Sequence, residues 1–123
     1  MTVTLSVTPT TLQVNQSVTA TVSWTAPLNA VSTDQITIAW GDGTSTTIPA
    51  PLPLDGSTTA SHTYTAAGTF TVVATVYYTL EDLTPISEQS NTVTVTVTAV
   101  VTVTKAVVAV GLVAPTVVAG RGR

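Results

Sequence analysis

Apolar and polar residues alternate with period two along most of this chain, and Val and Thr write most of the alternation. Successive side chains of a strand point to opposite faces, so the pattern predicts half-buried strands from end to end. Residues 3–8 read as a first strand that Pro9 ends or bends. Residues 12–14 are expected to continue it on an opposing sheet. Residues 16–25 place Val18, Ala20, Val22 and Trp24 on a buried face and Ser17, Thr19, Thr21 and Ser23 on the other. Residues 27–34 read as a loop. The strand at 35–40 turns Ile36, Ile38 and Trp40 inward. Gly41-Asp42-Gly43 then makes a tight turn, since glycine reaches positive φ freely and Asp bonds backbone amides. Residues 44–48 are expected to pair back as a hairpin.

Pro49-Ala-Pro-Leu-Pro53 does not suit a central strand and reads as an exposed crossing loop. Residues 57–64 and 68–79 are expected to form the next hairpin, joined through Thr65-Ala-Ala-Gly68. In its second strand Phe70, Val72, Ala74 and Val76 share one face. Thr69, Thr71, Val73, Thr75 and Tyr77 share the other, where Val73 and Tyr77 mark an outer surface that is partly covered. Tyr77 and Tyr78 are adjacent, so one of them points outward and is a candidate contact. Residues 81–89 read as a loop around Pro85. The alternation then runs unbroken over residues 91–104, about 46 Å of chain at roughly 3.3 Å per residue. That is longer than a sandwich strand, so its far half is expected to leave the domain.

Two units follow from this pattern: a β-sandwich over residues 1–98 and an extended arm over 99–123. The arm is apolar from Ala106 to Ala114, breaks at Pro115, and closes with Gly-Arg-Gly-Arg123. An apolar segment of this kind is aggregation-prone unless held, so it is expected to dock on a neighbouring subunit by adding as a strand or lying in a groove. The candidate contacts are Lys105, Val107, Val108, Val110, Leu112, Val113, Val117, Val118, Arg121 and Arg123. Residues 99–119 have the length of a membrane span. Lys105, three Thr and Pro115 interrupt them, however, and Val and Gly favour extension, so no membrane partner is expected.

Charge reinforces the division. All six acids (Asp34, Asp42, Asp55, Glu81, Asp82, Glu88) fall in residues 1–104 and all three bases in 105–123, so −6 and +3 give the net −3. An acidic body and a basic arm attract each other between copies. Three bases are too few for a nucleic-acid footprint. Charged residues are only 7% of the chain, and Thr alone is about a quarter of it. So low a charge suggests a surface that meets other protein; a thermostable or extracellular Thr-rich domain is the plainer alternative. The absence of cysteine removes disulfides and thiolate chemistry together. Residues 1–8 carry neither a basic nor an apolar leader segment, so no export signal is expected there.

Two short stretches carry a resemblance. Residues 38–44 read Ile-Ala-Trp-Gly-Asp-Gly-Thr, and residues 62–72 read His-Thr-Tyr-Thr-Ala-Ala-Gly-Thr-Phe-Thr-Val. The pair resembles the signature of PKD (polycystic kidney disease repeat) domains, whose hallmarks are a W-G-D-G or W-x-F-G-D-G turn and a later H-x-Y-x-x-x-G-x-[YF]-x-V. The resemblance covers about residues 15–98. The chain departs from the commoner form in having no Phe before the Gly-Asp-Gly turn and in its proline-rich insert at 49–53. The resemblance implies an all-β, immunoglobulin-like two-sheet antiparallel sandwich used for protein contact, not catalysis. Gly41, Asp42 and Gly43 would form the structural turn, and Trp24, Ile36, Ile38, Trp40, Tyr64, Phe70 and Val72 the core.

Candidate chemistry is sparse. A Ser-His-Asp triad would have to use His62, the single histidine, with Ser61 and Asp42 or Asp55; the plainer role for His62 is to orient a loop. Asp42 lacks the Asp-x-Asp-x-Asp surroundings of a calcium loop and is better read as closing a turn. Glu81-Asp82 is an acidic pair in a loop, solvated or facing another subunit's arginines. Asn15-Gln-Ser17 matches a glycosylation sequon in a chain without a visible export signal. No cofactor, metal or small-molecule substrate is expected, and no enzyme. The expected function is a virion structural protein, a capsid-decoration or minor capsid protein, homo-oligomeric and by analogy trimeric. A filament or surface-layer subunit at the cell surface is the first alternative. A carbohydrate- or protein-binding accessory module is the second.

Overall fold

The computed structural model describes residues 1–101, nine strands in two packed sheets without helix. They are β1 (Thr2–Thr8), β2 (Thr11–Gln13), β3 (Ser17–Thr25), β4 (Ala30–Ala39), β5 (Ser45–Leu52), β6 (Gly56–Thr63), β7 (Gly68–Leu80), β8 (Pro85–Gln89) and β9 (Val93–Thr98). One sheet runs β1-β3-β6. The other runs β2-β9-β7-β4-β5, with β8 also paired to β7. The molecule is therefore an all-β, immunoglobulin-like sandwich. Pairing is antiparallel except between β2 and β9, where the chain, having left β1 at Pro9, changes sheets.

Period two becomes a core because each sheet turns its apolar parity inward. Val3, Leu5 and Val7 of β1 and Val18, Ala20, Val22 and Trp24 of β3 face Ile36, Ile38, Val72, Ala74, Val76, Val95 and Val97 of the larger sheet. Trp40 and Tyr64 are the largest fully buried side chains. Phe70, placed in the core by its parity, packs at the rim of this cluster and keeps some exposure. The outward parity of the smaller sheet is almost all hydroxyl. Rows of Thr4–Ser23–Ser57, Ser6–Thr21–Thr59 and Thr8–Thr19–Ser61 cross it without a charge.

Several elements differ from the sequence expectation, each for a local reason. Residues 30–34 are strand rather than loop. Register shifts between Ala30 and Ser32 and between Thr33 and Gln35 put both Thr33 and Ile36 inward, so bulges hide the period. Residues 49–52 are not a crossing loop: β5 continues through Pro49 and Pro51, which is tolerated because β5 lies at the sheet edge. Residues 57–64 and 68–79 do not pair as a hairpin. β6 pairs β3, β7 pairs β4, and residues 64–67 carry the chain from one sheet to the other. Residues 85–89 form β8 on β7, after a turn in which Leu83 adopts φ 68°. Of the long alternation beginning at 91, the part within the described residues is strand over Val93–Thr98.

Candidate functional site

The signature residues converge on one end of the sandwich, where they tie the two sheets together. Trp40 directly follows β4, and the chain turns through Gly41-Asp42-Gly43, closed by the Trp40 amide donating to the Thr44 carbonyl at 3.1 Å. Gly41 has φ +86°, and a Cβ there would lie 2.6 Å from the Thr71 carbonyl oxygen of β7. Only glycine fits both constraints. Asp42 stands at the apex. Its Oδ1 accepts from the Thr44 amide at 3.0 Å and from the Thr44 hydroxyl at 2.5 Å, and its Oδ2 lies 2.7 Å from His62 Nε2. Since β6 belongs to the other sheet, the Asp42–His62 pair clasps the sheets across their open end.

Four rings continue the clasp inward. His62 stacks on Trp40 with centroids 4.7 Å apart and planes 9° apart, and Tyr64 meets the His62 ring edge-on at 88°. Tyr64 in turn stacks on Phe70. The Tyr64 hydroxyl donates to the Trp40 carbonyl at 2.8 Å, and Trp40 Nε1 donates to Thr46 Oγ1 at 2.8 Å. Every polar atom named here thus has a partner.

The electrostatics follow. Partial burial, the largest single influence, pushes the Asp42 carboxyl up, but the bonds from Thr44 and His62 together outweigh it and hold the group below its ordinary value. Burial, with the Asp42 charge adding to it, pushes the Tyr64 phenol up to about 12. At the opposite turn, hydrogen bonds from Thr84 hold Asp82 below the usual carboxylate range.

Asp42 and His62 do meet, as a triad would require, but its other proposed members do not join them. Ser61 lies on the hydroxyl face of β6, opposite in parity to His62, and Asp55 is engaged elsewhere by the Ala26 amide at 2.7 Å. The constellation orders a turn. Trp24, Ile36, Ile38, Trp40, Tyr64 and Val72 lie inside the sandwich. Tyr78 is buried, and Tyr77 is the outward member of its pair, 39% exposed. The arm contacts Lys105, Val107, Val108, Val110, Leu112, Val113, Val117, Val118, Arg121 and Arg123 lie outside the described residues.

Two polar devices were not legible in the pattern. The Asn91 side chain, between β8 and β9, accepts from the Leu5 amide at 2.9 Å and donates to the Leu5 carbonyl at 3.0 Å, occupying the free edge of β1. Asp34 accepts from the Ser32 and Thr79 hydroxyls, both at 2.6 Å, beside the β4 bulge. The only hint of the first is that Ser90-Asn91 interrupts the apolar parity.

No protein-family model matches the chain, and no curated protein does. Among solved structures it is similar to the PKD domain of an M14-like peptidase from Thermoplasmatales archaeon SCGC AB-540-F20. The two share 24% identity and a TM-score of 0.60 over 77% of this chain and 93% of that one. At that identity the likeness speaks for architecture alone, and it agrees with the clasp of turn, histidine and stacked rings: the chain has the PKD-like, immunoglobulin-type fold.

Proposed function

We propose that this chain is a non-catalytic structural subunit that displays its sandwich and joins neighbouring copies or a capsid protein through the arm. One observation carries this. The Val and Thr parity of β9 continues to Thr104 in the sequence, while among the described residues its pairing in the sandwich ends at Thr98. A strand pattern that outlasts its own sheet calls for another sheet to pair with. The fold supports a protein-contact role in general, and the scarcity of charge supports a surface used for contact. A virion, with the chain as a capsid-decoration protein, is the setting in which so weakly charged a module with a basic arm makes most sense. The surface then belongs to a larger shell and need not keep a free monomer soluble.

Density-gradient sedimentation of the native protein, with nucleic acid assayed in each fraction, tests the proposal. Co-migration with a nuclease-protected particle supports the virion setting. Migration as polymers free of nucleic acid replaces it with a filament or surface layer. A light, free species overturns the structural-subunit function itself.

A further inference from the structure

We propose that the free edge of β6 is the acceptor for the arm, and that residues 99–104 of a second copy add to it as an antiparallel strand. The inference rests on the structural-subunit function above and names the surface that function would use.

The donor is defined by where pairing runs out. Val97 faces Gly68, the first residue of β7, and Thr98 faces Gln13, the last of β2; the Val14 amide then donates to the Thr98 carbonyl at 3.0 Å. Beyond that point neither neighbouring strand extends further. Val100 and Val101 stand 55% and 81% exposed. Ala99, Val101 and Val103 nevertheless keep the apolar parity of β9, with Thr102 and Thr104 opposite. Such a segment is half of a sheet pair.

The acceptor is found by elimination among the free edges of the described residues. β5 carries Pro49 and Pro51, and proline lacks the amide a ladder needs. β8 is five residues long, begins at Pro85 and carries Glu88. β2 has three residues. β1 is capped at Leu5 by Asn91. β6 pairs only β3, and runs eight residues without proline, charge or register shift. It lacks the features that usually block edge pairing. Its inward positions are only half-buried, and Ala60, Ile48 and Leu52 form part of the core's partly covered margin. An added strand would cover that margin with the Ala99, Val101 and Val103 side chains.

Charge fixes the direction. Asp55 immediately precedes β6. An antiparallel arm brings Lys105 to that end, and so pairs the first base of the arm with an acid of the body.

The chain has no cysteine, so introduced ones report contact cleanly. Full-length Thr102→Cys, whose position lies on the face opposite Val101 and Val103, would be mixed with isotope-labelled full-length Thr59→Cys or Ser61→Cys, both on the exposed hydroxyl face of β6. Thr47→Cys on β5 and Ser87→Cys on β8 serve as alternative acceptors. The expected result is a disulfide between labelled and unlabelled chains at Thr59 or Ser61, at least tenfold above Thr47 or Ser87. In unsubstituted protein, β6 amide exchange should slow at least tenfold as the concentration is raised through association. An associated sample that cross-links at β5 or β8, or not at all, overturns the β6 edge while leaving the structural-subunit function standing. A chain that sedimentation shows to be monomeric at every concentration overturns both.

Discussion

At the scale of single residues, the clasp makes opposite demands on two glycines two positions apart. Gly41→Ala forces a Cβ against the backbone of Thr71 at a φ of +86°, and backbone cannot step aside. The expected loss is at least about 2 kcal/mol in chemical denaturation. Gly43 has φ +90° with nothing within 4 Å of a Cβ, so its alanine variant should lose only about 1 kcal/mol. The ionisable groups of the clasp bound the stable pH range. Asp42 titrates lower in the folded protein than its ordinary 3.8, so its contribution is complete above that value and lost as pH falls below it. Tyr64 titrates near 12 against an ordinary 10.0, so its contribution is complete below pH 10.0 and lost as pH rises towards 12. Tyr64→Phe should abolish most of the alkaline loss in a pH series of thermal melts. It should also cost about 1–3 kcal/mol at neutral pH by leaving the buried Trp40 carbonyl without its donor.

At the scale of elements, what could be read from the sequence depended on whether period two survived. β1, β3, β7 and β9 carry an unbroken apolar parity, so their presence and inward faces were legible, as was the change of sheet at Pro9. The parity of β4 is hidden before Gln35 because its bulges reset it after Ala30, and the hairpin partner of β4 is legible over Ser45–Ile48 but not through 49–52, because proline marks both loops and edge strands. The pairing of β6 is less legible still. Its alternation is Thr, Ser and Ala, which shows parity but not partner, and the short link through residues 65–67 suits a hairpin as well as a crossing between sheets. The residue types of the His62–Asp42 contact are legible in the sequence, but which sheets it joins depends on the partner of β6. Asn91 belongs to the same scale, since it acts as a surrogate strand for β1. Asn91→Ala should cost about 1–2 kcal/mol through loss of both bonds, and amide exchange at Leu5 should quicken more than at its neighbours.

For the whole molecule, the question is how a body with so little charge stays dispersed, and what then brings copies together. Hydroxyl rows on the smaller sheet hydrate that face without charge, while the acids sit at turns, on the edge strand β8 and at the β4 bulge and leave residues 1–104 at −6. Like-charged bodies repel, and the arm's +3 is the one opposite charge in the chain. Two terms of different range therefore act on association: Coulomb attraction between arm and body, and short-range strand pairing with burial of Val side chains. Salt separates them, because the screening length falls from about 10 Å at 0.1 M to about 3 Å at 1 M. Association measured by sedimentation should weaken over that interval without vanishing, since the pairing term is not screened. Reversing Lys105, Arg121 and Arg123 to Glu should bring the low-salt affinity below the high-salt affinity of the unsubstituted chain, and added salt should then strengthen association. If salt leaves association unchanged for both proteins, the arm is held by packing alone and the charge asymmetry has no part in assembly.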